Sequence, residues 1–226
     1  MTGPGTPPSG SPGSYQITVQ QPGAGYYYTQ QYAGTPLTQL AGLKYNTYIV
    51  SSVAPVTIVM SFDFDDDLTT PTPAYEGRAV FDPALLGVPA LAVGTWQAWD
   101  PMTQKAWYGS GTPGTRPLNM HCTQASPCTL AQMIGFFPNG GVLSDLFAGF
   151  FGFRLGNGGG PSQVSFDSFS IGTAGAGGPI SMFNFAPAAP APNAVPAVSN
   201  LGLLLLTGLL GLAGFAALRD RDPRAS

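Results

Sequence analysis

Ionisable side chains are scarce in this chain: 8% of its 226 residues are Asp, Glu, Lys or Arg, against about 25% in ordinary globular domains. Eight basic residues face eleven acidic ones for a net charge of −3, and three of the basic ones, Arg219, Arg221 and Arg224, crowd into the last eight positions. No Lys/Arg-rich face remains to neutralise phosphates, so a nucleic-acid partner is excluded. Histidine occurs once, as His121, and cysteine twice, as Cys122 and Cys128. Too few Cys and His ligands exist for a four-ligand zinc site, and the Cys-x-x-Cys redox form is lacking. Glu76 is the one glutamate, so a glycosidase acid/base pair would have to come from aspartates, with nothing to bury one acid selectively. No Gly-x-Ser-x-Gly elbow surrounds a serine, and no nucleophile motif surrounds His121. The run Gly156-Asn157-Gly158-Gly159-Gly160 lacks the Lys-Ser/Thr of a phosphate loop and reads as a flexible loop.

What the chain does hold is apolar and aromatic: 44% hydrophobic and 12% Phe, Trp or Tyr, with 31 glycines and 23 prolines. That excludes a solvated disordered chain and, with close to a quarter of positions Gly or Pro, a helical bundle. No three-residue glycine period runs through it, which excludes collagen. From Tyr15 to about Gly172 the apolar period is two. Val56, Ile58, Met60, Phe62 and Phe64 alternate with Thr57, Val59, Ser61, Asp63 and Asp65, the pattern of a strand with one buried and one largely polar face. Shorter runs at Tyr15–Gln21, Tyr26–Tyr32, Lys44–Val50, Gly77–Phe81, Thr95–Trp99, Gly149–Leu155 and Val164–Ile171 are punctuated by Gly, Pro and Asn. One helix is predicted over Thr129–Phe137, capped by Ser126 with Pro127 in its first turn and stopped at Pro138-Asn139-Gly140-Gly141. The expected fold is all-β, a two-sheet antiparallel sandwich of jelly-roll type with one short inserted helix. The expected divisions are a loop over 1–14, a sandwich over 15–173, a Gly/Ala/Pro-rich linker over 174–194 and a terminal region over 195–226.

Three constellations could carry chemistry. Cys122 and Cys128 bracket Thr-Gln-Ala-Ser-Pro, and a disulfide closing this loop is the preferred reading over two buried thiols. Asp63, Asp65, Asp66 and Asp67 are hard oxygen ligands able to hold Ca²⁺, but they lack the EF-hand order, and Asp63 and Asp65 read first as exposed charge at a solvated strand end. Trp96 and Trp99, at odd separation, face opposite sides of a strand, so one belongs to the core. Core packing is the leading reading of these aromatics, with Trp99, Trp107 and Tyr108 as candidates for stacking on a sugar ring. The Tyr26-Tyr27-Tyr28 and Tyr32 group reads as half core and half surface.

At the C-terminus, Leu201–Leu218 is an uncharged apolar run whose helix would reach roughly 27 Å, enough to cross a bilayer core of about 30 Å. Arg219, Arg221 and Arg224 beyond it hold that end in the cytoplasm and place the body outside the membrane. The span is preceded by Val195-Pro196-Ala197-Val198-Ser199-Asn200-Leu201-Gly202 and an Ala/Pro spacer. Motif, span and Arg cluster together resemble the bacterial PEP-CTERM class of sorting tails, most closely the IPTL-CTERM variety, with Val195, Pro196, Ser199 and Gly202 fitting and Asn200-Leu201 departing from it. The resemblance implies export, anchoring in the inner membrane, and cleavage near the motif by an exosortase-type transpeptidase, with the product at the cell surface. Met1-Thr-Gly-Pro-Gly-Thr-Pro-Pro-Ser-Gly shows no basic, apolar leader and is similar to an interior loop of secreted sandwich domains, so the expected true start and signal peptide lie upstream. The series Gly94–Asp100, Lys105–Tyr108, Cys122–Gln132, Phe137–Val142 and Phe166–Phe169 resembles an uncharacterised lectin-like sandwich module of secreted bacterial proteins, which implies a fold but no catalytic residues.

The expectation is therefore an exported, non-catalytic surface or matrix protein with no cofactor unless Ca²⁺ binds. Its implied partners are the processing enzyme, the membrane and extracellular polysaccharide. A carbohydrate-binding module is the alternative, and a glycan-acting enzyme the third reading.

Overall fold

The structure, a computed structural model, describes residues 7–8, 13–20, 23–52, 58–87, 92–145, 148–156 and 161–185. The motif, apolar span and Arg-containing end expected at 195–226 lie outside the described residues. Among the described residues no helix is long and apolar enough to cross a membrane. The described residues form eleven strands: β1 Tyr15–Val19, β2 Gly25–Thr29, β3 Ala41–Ser52, β4 Val59–Asp65, β5 Arg78–Phe81, β6 Trp96–Trp99, β7 Trp107–Gly109, β8 Gly141–Val142, β9 Phe151–Leu155, β10 Ser162–Gly172 and β11 Ser181–Phe183. Two short helices, α1 Pro117–His121 and α2 Leu130–Phe136, and 3-10 turns at Leu37–Gln39 and Pro83–Leu86 complete the set.

The strands form two antiparallel sheets. Sheet A runs β1-β10-β3-β6, with β11 also on β10, and sheet B runs β2-β9-β4-β5-β7, with β8 also on β4. The alternation in β3 shows why. Leu43, Tyr45, Thr47 and Ile49 are buried while Lys44, Asn46, Tyr48 and Val50 are not, so one face supplies core and the other does not. The inner faces of both sheets meet in one aromatic core, where Phe62 stacks on Phe151 with ring centroids 5.7 Å apart and Trp107 packs against Phe62 and Phe81 at 5.6 and 5.5 Å. Each such side chain withdrawn from water contributes roughly 1.5–3 kcal/mol. Polar groups on this inner face are paired: fully buried Thr47 accepts the indole N–H of Trp99 at 2.8 Å, and the Tyr45 hydroxyl donates to the Ile58 carbonyl at 3.0 Å.

Strand β10 changes phase along its length. Val164 and Phe166 face the core before a register shift and Phe169 and Ile171 after it, so the inward set moves from even to odd positions. The shift is a bulge at Ser168, whose φ of 58° is the one positive value at a non-glycine among the described residues and is a costly backbone region for a residue with a Cβ. Buried Asp167 steadies it, accepting the Ser168 hydroxyl at 3.3 Å and the Phe185 N–H at 2.8 Å. Phe185 in turn packs on Phe166 at 4.7 Å. The folded part thus continues past 173: β11 and Phe185 belong to the sandwich, not to a linker over 174–194.

The helix expectation is corrected in two ways. First, α2 is capped by Thr129, not Ser126: the Thr129 hydroxyl accepts the Gln132 N–H at 3.2 Å while Gln132 returns a bond to the Thr129 N–H at 2.9 Å. A helix cannot start earlier, because Cys128 is still paired with Trp107 through main-chain bonds in both directions, at 2.8 and 3.0 Å. Second, α1 is an additional helix, with Pro117 in its first turn and Asn119 reaching back to the N–H groups of Thr115 and Arg116 at 3.1 and 3.0 Å.

Candidate functional site

Pairing registers place Tyr28, Gly152, Ser61, Val80 and Tyr108 in one row across the outer face of sheet B. The side chain of Tyr28 lies over Gly152, where an added Cβ would meet the ring at 2.8 Å. From there a stack continues: Tyr26 lies 5.5 Å from Tyr28, Arg154 sits over Tyr26 at 5.7 Å, and Arg78 sits over Tyr28 at 5.3 Å. Tyr27 turns the other way, to Tyr15, Phe166 and Phe185. Strand alternation turns the triplet to both sides of the sheet, but Tyr26 and Tyr27 are both exposed, at 52% and 38%, and of the four tyrosines Tyr32 is the buried one.

The aspartate run is placed differently from expectation. Asp63 and Asp65 are not a solvated strand end: they are 2% and 1% exposed. Arg78 lies over Asp63 and donates from Nε at 2.9 Å and Nη2 at 2.8 Å to Oδ1, while the Phe150 N–H donates to Oδ2 at 3.2 Å. Asp65 clasps the following loop, accepting the N–H groups of Asp67 and Ala74 at 3.0 Å each. Asp67 accepts both the hydroxyl and N–H of Thr69, which hold its carboxyl below the usual range. Asp66 is half-buried. Asp63, Asp65 and Asp67 are spent on separate tasks, and among the described residues no group of three or more His, Cys, Asp or Glu is arranged to hold a metal ion.

The tryptophans follow the leading reading, core packing. Trp99 is 4% exposed and Trp107 fully buried, with its N–H donated to the Pro101 carbonyl at 2.8 Å. Trp107 offers no face to a ligand, and Trp99, though nearly buried, lines a cavity over β3, β6 and β10. The odd spacing holds with the opposite assignment: Trp96 is the half-exposed partner, set against Tyr48 at 5.5 Å.

Tyr108, half-buried, opens on a cavity of about 490 Å³ formed with Gly109, Ser110, Gly111, Pro113, Asn119, Thr123, Gln124 and Ala125. Strand β7 supplies Tyr108 and Gly109, and α1 supplies Asn119. Glycine is required at 109, because a Cβ there would stand 2.6 Å from the Asn119 nitrogen. The segment after β7 adds Ser110, Gly111 and Pro113, and the rest of the wall is the loop between Cys122 and Cys128, which are at disulfide distance with Cα atoms 5.4 Å apart. Main-chain bonds from Gly109 to Cys122 and from Trp107 to Cys128, at 2.9 and 3.0 Å, fasten both ends of that loop to β7. Burial pushes the Tyr108 phenol up, opposed by a bond from Gln124 and by the Arg154 charge, with Asp82 adding to the rise, so the hydroxyl stays neutral at physiological pH. A second cavity, about 400 Å³, lies over β3, β6 and β10 and includes Lys44 and Asp100.

Ser110, Thr123 and Gln124 escaped the sequence reading. Small uncharged residues in turns carry no pattern, and the Cys-Thr-Gln-Ala-Ser-Pro-Cys string marked the loop without its neighbours.

Fold and site define an all-β protein of two antiparallel sheets with an uncharged pocket beside a cysteine-closed loop. No family model, no curated protein and no solved structure matches the chain.

Proposed function

We propose that this is an exported, non-catalytic protein of the bacterial surface or extracellular matrix, a jelly-roll sandwich held at the inner membrane by its apolar C-terminal run and processed there by an exosortase-type enzyme. The strand order supports the jelly-roll reading: β1-β10-β3-β6 against β2-β9-β4-β5 is the order in which eight strands wind into two facing four-stranded sheets. The observation that supports export is the Cys122–Cys128 pair, whose members stand at disulfide distance with Cα atoms 5.4 Å apart, since disulfides form and persist in oxidising compartments. The tail reading rests on the Val195–Gly202 motif, the uncharged run to Leu218 and the arginines after it.

Intact-mass spectrometry of the chain produced in a host with an exosortase-type enzyme tests both parts. The expected product ends before Leu201 and carries both cysteines oxidised. Ser226 retained on the surface protein would overturn processing, and two free thiols would overturn export.

A further inference from the structure

We propose that the cavity beside Tyr108 is a binding site for an uncharged saccharide. Its volume, about 490 Å³, falls within the range of small-ligand sites, roughly 300–1,000 Å³. No Asp, Glu, Lys, Arg or His lines it, so nothing there would select a phosphate, a carboxylate or an amine by charge. What it presents is one aromatic ring and several neutral hydrogen-bonding groups. That combination suits a molecule with apolar C–H faces and hydroxyls that both donate and accept.

The polar groups are only partly used by the fold. The Ser110 hydroxyl oxygen accepts the Arg78 N–H at 3.0 Å, and the Thr123 hydroxyl oxygen accepts the Ser126 N–H at 3.0 Å. Each keeps its own O–H to donate. Gln124 lines the cavity beside Tyr108, and its amide has both donor and acceptor capacity. Asn119 is different: its oxygen takes the Thr115 and Arg116 N–H groups, and its amide donates to the Ser110 carbonyl at 3.0 Å. It is a positioning residue that fixes the pocket floor, while the cysteine pair fixes the wall. A pre-set pocket loses little freedom when it binds. The other candidates carry less: the 400 Å³ cavity includes both Lys44 and Asp100, and the Tyr26, Tyr28 and arginine stack is satisfied by its own members.

The test uses the full chain in a detergent without a sugar headgroup. It is titrated with β-1,4- and α-1,4-linked glucose oligomers, β-1,4-linked N-acetylglucosamine oligomers and, as the charged counterpart, oligogalacturonate. Binding of at least one neutral oligomer is expected, weakened about tenfold by Tyr108→Ala through lost stacking and weakened by Gln124→Ala. Lys44→Ala, in the other cavity, leaves the affinity unchanged. Should Tyr108→Ala fail to fold, Gln124→Ala on the exposed loop decides. No neutral oligomer bound at millimolar concentration, preference for oligogalacturonate, unaltered affinity in Gln124→Ala, or loss on Lys44→Ala would each overturn the proposal. Each result is independent of the tail's processing.

Discussion

Asp63 shows how a single residue can follow the strand pattern and still defy its usual consequence. Alternation in β4 puts it opposite the core residues Phe62 and Phe64, yet Arg78 and the Phe150 N–H leave it almost no exposure. Removing one member of such a pair strands the other without compensation, at about 3 kcal/mol. Arg78→Met is therefore expected to destabilise by about that amount in chemical denaturation. Asp63→Asn costs less, since it strands no buried charge and frees an arginine that is already 25% exposed. Equal losses would contradict this account. A second prediction concerns Asp82, whose carboxyl burial lifts above its ordinary value of 3.8, opposed by the Ala84 N–H. An acid with a raised folded pKa binds its proton more tightly when folded, so stability falls as pH rises from the unfolded value through the folded one and stays lower above it. Asp82→Asn keeps an acceptor for Ala84, and thermal melts are expected to show a raised Tm at pH 7 that vanishes below about pH 4. A gain that persists in acid would contradict the titration.

At the scale of elements, the loop from Cys122 to Cys128 ties together what the chain keeps apart. It pairs with β7, delays the start of α2, and walls the pocket next to α1. A cross-link over so short a loop removes about 2 kcal/mol of chain entropy from the unfolded state. The double variant Cys122→Ala/Cys128→Ala is expected to unfold with a lower denaturant midpoint by that free energy and an unchanged m-value. A changed m-value would mean that the loop's main-chain bonds to β7 depend on the cross-link as well. Element length also explains what could be read beforehand. The long strands β3, β4 and β10 repeat their pattern often enough to be seen. Strands β7, β8 and β11, of three, two and three residues, carry no period of their own and exist because a neighbour offers an unpaired edge. Helix α1, five residues long, is too short for a helical period to show.

For the molecule as a whole, the scarcity of charge has a structural counterpart. Among the described residues one salt bridge forms, Arg78 with Asp63, and stability rests on aromatic packing between two sheets instead of on ion pairs. The residue pattern alone determined that the chain makes antiparallel strands with one apolar face each, that Trp96 and Trp99 part company, and that successive tyrosines of the triplet point to opposite sides of the sheet, because a side-chain period of two is a local property of the backbone. Only the tertiary structure decided which face is covered: that Arg78 closes over Asp63, that Trp99 and not Trp96 enters the core, that the segment after 173 returns to β10, and that Tyr108, Ser110, Thr123 and Gln124 meet around one cavity. Coverage depends on what another segment, distant in sequence, lays over a surface, and no local repeat encodes that.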